Sequence, residues 1–218
     1  MRIIAGELRG RLLTAPEGLG IRPTADRTRE ALFTLLEHGR LARDGAIVAG
    51  ATVLDVFAGT GALALEALSR GAAAAVAMDR NSAAITAIQA NARALKLEDA
   101  LTVIKADALK PPPARFAADL VLLDPPYGEG LGESALLALG DAGWIGSNAV
   151  VALETGSKEK FEPPPGFVLQ DAPRYGRAKP CLIVRTSEPA PRSRFRSAPV
   201  AATRFLLQHP GRPPVPLR

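Results

Sequence analysis

The sequence predicts a doubly wound, mostly parallel α/β sheet, and three observations predict it. Short continuous apolar runs, such as Thr52–Phe57 (TVLDVF) and Asp119–Leu123 (DLVLL), read as strands covered on both faces. Segments with helical spacing separate these runs, so strand and helix alternate along the chain. Acidic residues and glycines gather just after the strands, at the carboxyl ends where such sheets hold their ligands.

The elements follow in order. Arg2–Gly6 and Arg11–Thr14 flank the turn-like Glu7–Gly10 and suggest a small hairpin. A link rich in Pro and Gly (Pro16, Gly18, Gly20, Pro23) leads to a helix that Thr24 or Asp26 could cap. Ala31, Leu32, Leu35 and Leu36 give that helix one apolar face, and Gly39 ends it. After the strand Thr52–Phe57, a helix is predicted over Ala62–Arg70, stopped by Gly71. Ala73–Met78 is a strand ending at Asp79, Ser82–Leu97 a long helix, and Leu101–Ala106 a strand ending at Asp107. Asp119–Leu123 runs into Asp124-Pro125-Pro126-Tyr127; a helix over Leu131–Leu139 and a strand over Ala149–Glu154 follow. Phe167–Ala172 and Cys181–Thr186 form a closing pair around Arg174-Tyr175-Gly176-Arg177. Three regions result: 1–43, a hairpin-and-helix extension; 44–186, the sheet domain; and 187–218, a tail with seven Pro and six Arg that is expected to be disordered.

Composition narrows the class. Of 218 residues, 47% are hydrophobic and 22% charged, as in ordinary globular domains. One cysteine, Cys181, excludes an internal disulfide framework. Two histidines make a Cys/His metal site improbable, and no metal is expected. No apolar run of the length that spans a bilayer occurs, and Met1–Gly10 has no apolar signal core, so a cytoplasmic location is expected. The net charge of +5 resides in the tail; residues 1–186 balance. Within that neutral body, Arg2, Arg9, Arg11, Arg22, Arg27 and Arg29 make the N-terminus basic, the end a polyanion would meet.

The turn Asp55-Val56-Phe57-Ala58-Gly59-Thr60-Gly61 lets the backbone approach a ligand and opens a helix whose first N–H groups are unpaired. Gly59, Gly61 and Ala64 also satisfy the spacing of dinucleotide-binding turns, so this signal alone is weak. Asp79, at the end of the next strand, can accept from both hydroxyls of a ribose. Asp55 separates the readings. A carboxylate inside the first strand's end suits the ammonium group of S-adenosylmethionine (SAM) and does not suit a pyrophosphate. Asp107 can accept from an adenine amino group, or can simply cap its turn.

Asp124-Pro125-Pro126-Tyr127 is the strongest motif. Two prolines hold a rigid extended backbone without donors, so the strand end presents a carboxylate and carbonyls, all acceptors. An exocyclic amine with two N–H bonds needs that arrangement, and Tyr127 adds a plane on which a base can stack. Accepting both hydrogens, at the Asp124 side chain and the Pro125 carbonyl, turns the amine lone pair toward an incoming methyl. Transfer is then an in-line displacement helped by positioning.

With both halves in place, residues 1–186 resemble the SAM-dependent amino-methyltransferases that carry a D/N-P-P-Y/F motif, and within them the RsmD family. The residues that carry the likeness are Arg2-Ile3-Ile4-Ala5-Gly6 with Arg9-Gly10-Arg11, Arg22-Pro23-Thr24 with Asp26-Arg27 and Arg29-Glu30, Asp55 to Gly61, and Asp124 to Tyr127. The two N-terminal stretches are the more specific. The resemblance implies a seven-stranded, Rossmann-like methyltransferase sheet. It implies methylation of the 2-amino group of a guanine in small-subunit (16S) ribosomal RNA, with SAM as cofactor. It also implies cofactor contacts at Asp55, Phe57, Ala58, Gly59, Thr60, Gly61, Asp79 and Asp107, with Thr24 beside them, and catalysis at Asp124, Pro125, Pro126 and Tyr127. The hairpin would touch RNA. Arg2, Arg9, Arg11, Arg22, Arg27, Arg174 and Arg177 are the candidate phosphate contacts. The tail has no counterpart in that resemblance.

Residues 1–186 leave no room for the target-recognition domain usual in DNA amino-methyltransferases, so RNA is the expected partner, free or in a small-subunit assembly intermediate. Methylation of another base or of a protein glutamine uses the same acceptor logic. A nicotinamide oxidoreductase leaves Asp124 to Tyr127 unexplained, and a non-catalytic RNA-binding protein leaves both motifs without purpose. A monomer is the expected state.

Overall fold

The computed structural model describes residues 1–15, 26–44, 47–126, 128–156, 159–173 and 178–186. Thr24, Arg22, Tyr127, Arg174 and Arg177, together with the Pro/Gly-rich link and the tail from 187 onward, lie outside the described residues.

Seven strands form one sheet in the order β3-β2-β1-β4-β5-β7-β6. They are β1 (Thr52–Val56), β2 (Ala74–Asp79), β3 (Leu101–Lys105), β4 (Ala118–Leu123), β5 (Ile145–Gly156), β6 (Phe167–Asp171) and β7 (Ala178–Arg185). The first five run parallel and β7 lies antiparallel between β5 and β6. The chain steps outward from β1 to β3 and then returns to β4 on the other side of β1. The strand order therefore reverses between β1 and β4, where a doubly wound sheet opens its ligand crevice.

Alternation along each strand divides the core in two. Val53, Ala75, Ala77, Leu120 and Leu122 face one layer, with α1 (Asp26–His38), α2 (Ala62–Ser69) and α3 (Ser82–Leu95) above them. Leu54, Val56, Val76, Met78, Val121 and Leu123 face the other, under α4 (Leu131–Asp141) and the buried Trp144. The tryptophan is tolerated there because its indole N–H donates to the Pro112 carbonyl at 2.7 Å.

The elements match the sequence reading except at their ends. α3 stops at Leu95, two residues early, because Lys96 turns left-handed (φ 59°) and caps it. β5 begins four residues earlier than its apolar pattern suggests. Gly146, Ser147 and Asn148 interrupt the pattern, and the pairing with β4 shifts register there. A short 3-10 turn at Arg40–Asp44 gave no sequence signal.

The N-terminal arm folds back on itself more briefly than two full strands. Arg2 and Leu12 form one antiparallel bridge, and Ile3 N–H donates to Arg11 O at 2.9 Å while Leu13 N–H donates to Met1 O at 3.0 Å. The arm lies on α2. Glu66 accepts from the N–H groups of Ile4 (2.8 Å) and Ala5 (3.0 Å), and the Ser69 hydroxyl accepts from Leu8 N–H at 3.0 Å. Gly6 is required at this contact: a Cβ there would lie 1.8 Å from the Ser69 carbonyl oxygen. Glu66 also accepts from Arg70 Nε at 2.8 Å and lies 3.5 Å from Arg29 Nε; both Glu66 and Arg29 are 0% exposed. Arg29 bonds the Arg2 carbonyl as well, so one buried ion network joins arm, α1 and α2.

Candidate active site

Pairing registers bring the two motifs together. Val56 of β1 lies opposite Leu123 of β4 and Met78 of β2. The next residues, Phe57, Asp124 and Asp79, therefore sit at one level along the carboxyl edge. Asp124 N–H reaches Val56 O at 3.5 Å, and Ala58 N–H donates to Met78 O at 3.2 Å. The crevice between β1 and β4 is thus walled by the glycine turn on one side and by Asp124 and Pro125 on the other.

Protein carboxylates hold the glycine turn. Asp55 projects from β1 toward α2, and its Oδ2 accepts from Ala64 N–H at 2.9 Å. Gly61, the residue before α2, has no side chain to cap the helix, so Asp55 supplies the cap from the neighbouring strand. Asp79 accepts from Gly59 N–H (2.9 Å) through one oxygen and from Asn81 N–H (2.8 Å) through the other. Gly61 adopts φ 76° and packs on Ile88, where a Cβ would meet side-chain carbon at 3.1 Å. Phe57 adopts φ 60° without being glycine, a strained conformation of the kind that collects at functional sites.

Burial pushes the Asp55 carboxyl well above the usual carboxylate range; the Ala64 hydrogen bond opposes this, and the charges of Asp124 and Asp79 add to it. Asp55 Oδ1 is buried and has no hydrogen-bond partner among the described residues. Three carboxylates from neighbouring strands around one orphaned acceptor form a site that a cationic ligand would relieve.

The other candidate residues divide. Thr60 is buried, with its hydroxyl 3.8 Å from the Met1 sulfur, so it faces the arm and offers the crevice only its backbone. Asp107 is half-buried beyond β3, where its Oδ1 accepts from Leu109 N–H at 2.9 Å and closes a turn. Arg2, Arg9, Arg11 and Arg27 are exposed. Glu7 N–H donates to Ser69 O, and Arg11 Nη2 donates to Ala94 O near the end of α3. The arm's tip, with Arg9, therefore lies at the far end of α2 from the glycine turn, about 12 Å away along the helix axis.

Beside Pro125 and Pro126 opens a cleft of about 180 Å³, lined also by Leu153, Glu154, Thr155, Glu159 and Phe161. It lies on the β5 side of the motif, away from the glycine turn. Glu159 and Asn91 were not visible as site residues in the sequence. Glu159 lies in a run of charges (residues 157–162) that reads as solvated. Asn91 looks like one polar position of an amphipathic helix. In the fold it is buried, accepts from Thr14 N–H (2.8 Å), and donates to Thr14 O and Thr60 O (both 3.0 Å), tying arm to turn. Glu66 did carry a signal: it is the lone acid in the apolar segment ALALEALS. Among the described residues no group of three or more His, Cys, Asp or Glu is placed to hold a metal ion, and no helix is long and apolar enough to cross a membrane.

Comparison with known proteins adds to this geometry. A family model described as conserved hypothetical protein 95 matches residues 1–184. The chain belongs to that family, the RsmD family of methyltransferases. The ribosomal RNA small subunit methyltransferase D of Escherichia coli (strain K12) is 37% identical over 161 residues, covering 71% of this chain and 74% of the relative. That of Haemophilus influenzae is 32% identical over 173 residues, covering 78% and 86%. The solved structure of yhhF from Escherichia coli aligns with a TM-score of 0.71 at 31% identity, covering 86% of this chain and 99% of that one.

Proposed function

We propose that this RsmD-family chain uses SAM to methylate the exocyclic 2-amino group of a guanine in small-subunit (16S) ribosomal RNA. The observation that carries the reading is the abutment of Asp124 on the glycine turn, with Leu123 opposite Val56. A methyl donor and an amino acceptor bound at those two places would meet in the crevice. The relatives' names, ribosomal RNA small subunit methyltransferase D, support the RNA class.

The residues fit the cofactor. The turn from Phe57 to Gly61 gives close backbone approach, and Asp79 stands at the β2 end with lone pairs left for ribose hydroxyls. The orphaned oxygen of Asp55 and the carboxylates around it suit a cation. When bound, SAM supplies an electrophilic methyl on a sulfonium.

The chain's own residues do the rest. Asp124 and the Pro125 carbonyl accept the two amino hydrogens and aim the nitrogen lone pair across the crevice. Asp124 is placed to hold the proton that the amine releases. Tyr127 stacks the base, and the base enters the cleft past Pro126. Exposed Arg2, Arg9, Arg11 and Arg27 contact phosphates, with Arg22, Arg174 and Arg177 joining them.

The test is transfer of labelled methyl from SAM to 16S rRNA and small-subunit particles that lack native methylation, followed by digestion to nucleosides. Label in 2-methylguanosine supports the whole reading. Label in another base keeps the acceptor chemistry and overturns the target, and label only in protein moves the activity to a glutamine amide.

A further inference from the structure

The loop that follows the acceptor motif is exposed and rich in glycine. Pro126, Gly128, Glu129 and Gly130 are exposed, and Gly128 and Gly130 adopt φ 79° and 64°, with open space where a Cβ would stand. Among the described residues, Glu159 reaches it from a distant segment. Glu159 Oε1 accepts from Gly128 N–H at 2.6 Å, and Glu159 Oε2 accepts from Gly156 N–H at 2.8 Å. Glu159 is itself fixed, because its own N–H donates to Gly156 O at 2.9 Å. One carboxylate therefore bridges the loop after β4 to the end of β5, the neighbouring strand. Short bonds from N–H groups to a carboxylate are among the stronger ones.

We propose that Glu159 is the positioning residue of the acceptor site. Its carboxylate locks the loop that begins at Pro126 to the end of β5, and so sets where the acceptor amine sits relative to the methyl. The proposal rests on the methyltransferase reading above. Pro126, Gly128 and Gly130 line the cleft together with Glu159, so a shift of the loop moves the mouth of the cleft. The cofactor turn is braced separately by Asp55 and Asp79 and does not depend on this lock. An error of about 1 Å in the attack geometry can cost on the order of 100-fold in rate.

The experiment compares wild type, Glu159→Ala and Glu159→Gln in the full chain. Single-turnover methyl transfer, SAM affinity, Tm and amide hydrogen exchange of the peptide covering 126–131 are measured. Glu159→Ala is expected to lower the transfer rate by about 10- to 100-fold, with SAM affinity and Tm unchanged and faster exchange in that peptide. Glu159→Gln, which keeps one acceptor oxygen, is expected to fall between the two. A rate within twofold of wild type overturns the proposal. So does unchanged exchange, or a rate loss matched by parallel losses of SAM affinity and Tm. If wild type transfers no methyl to RNA, the functional reading fails, while the exchange comparison still decides whether Glu159 locks the loop.

Discussion

The two halves of the crevice are held to different degrees. On the cofactor side, backbone N–H groups of the turn and its helix are already bonded by Asp55 and Asp79, and Asn91 fixes the Thr60 carbonyl from behind. Behind Asn91, the arm is anchored through Glu66 and Arg29 in the core. On the acceptor side, an exposed glycine loop is tied down by Glu159. The difference follows from what each half must do. On the proposed reading, a small cofactor meets a turn already held in place, whereas a base must leave a structured RNA to reach its site.

Asp124→Ala is the sharpest way to separate the halves. It removes the proposed acceptor of the amine and keeps the bonds of Asp55 and Asp79 to the turn and its helix. Methyl transfer is expected to fall by about 100- to 1,000-fold or more, with SAM affinity near wild type by calorimetry. Turnover close to wild type would end the acceptor mechanism, and lost SAM affinity would mean the halves are not separate.

The braced side predicts the largest loss of stability. Glu66→Ala leaves the buried Arg29 with the half-exposed Asp26 in place of a buried counter-charge and unpairs the N–H groups of Ile4 and Ala5. Breaking a buried pair this way costs about 3–5 kcal/mol. Chemical denaturation should show that loss, and the arm should become protease-sensitive. A loss below about 1 kcal/mol would make the network peripheral.

How far the sequence disclosed these halves depends on distance along the chain. The strand ends, the glycine turn and Asp124 to Pro126 were legible because each is a local pattern with a local cause: apolar runs, positive φ and paired prolines. Asp55 was legible as a carboxylate at the end of β1, but not as the cap of α2, since that bond joins positions through a strand–helix turn. Asn91 and Glu159 were not legible. Each acts on a backbone group many residues away, and nothing in its neighbours announces the partner. The arm was legible as basic, but the placement of its tip at the far end of α2 depended on Gly6 meeting Ser69.

Asp55 offers a subtler probe of the braced side. Its folded carboxyl titrates well above its usual value of 3.8, mainly because it is buried. Between those two pH values the folded state holds a proton that the unfolded chain has lost. Stability is therefore fullest below the usual value and falls as pH rises through the folded one, by up to about 1.4 kcal/mol per pH unit. Asp55→Asn keeps an acceptor for Ala64 N–H and has no proton to lose, so its stability should be flatter with pH and higher than wild type at neutrality. A cationic ligand favours the ionised form, so wild-type SAM affinity should rise with pH while that of the variant stays level. Parallel urea midpoints for the two proteins across pH would refute a buried Asp55 charge.

The smallest effect belongs to the arm's tip, and it tests whether the arm is only a brace. Arg9 and Arg11 are exposed, and Arg9 lies about 12 Å from the glycine turn along α2. Any contact they make with RNA is therefore to phosphates outside the crevice. Replacing both with Ala should raise KM for RNA several-fold, leave the rate at saturating RNA unchanged, and reduce the salt slope of binding by about one to two. Because Arg11 also bonds the Ala94 carbonyl, a small loss of stability should accompany the double change and be absent from Arg9→Ala alone. An unchanged salt slope would confine the arm to bracing the cofactor side. A changed saturated rate would mean that the RNA-binding surface and the acceptor loop move together, and the separation of the halves would then hold only in the absence of RNA.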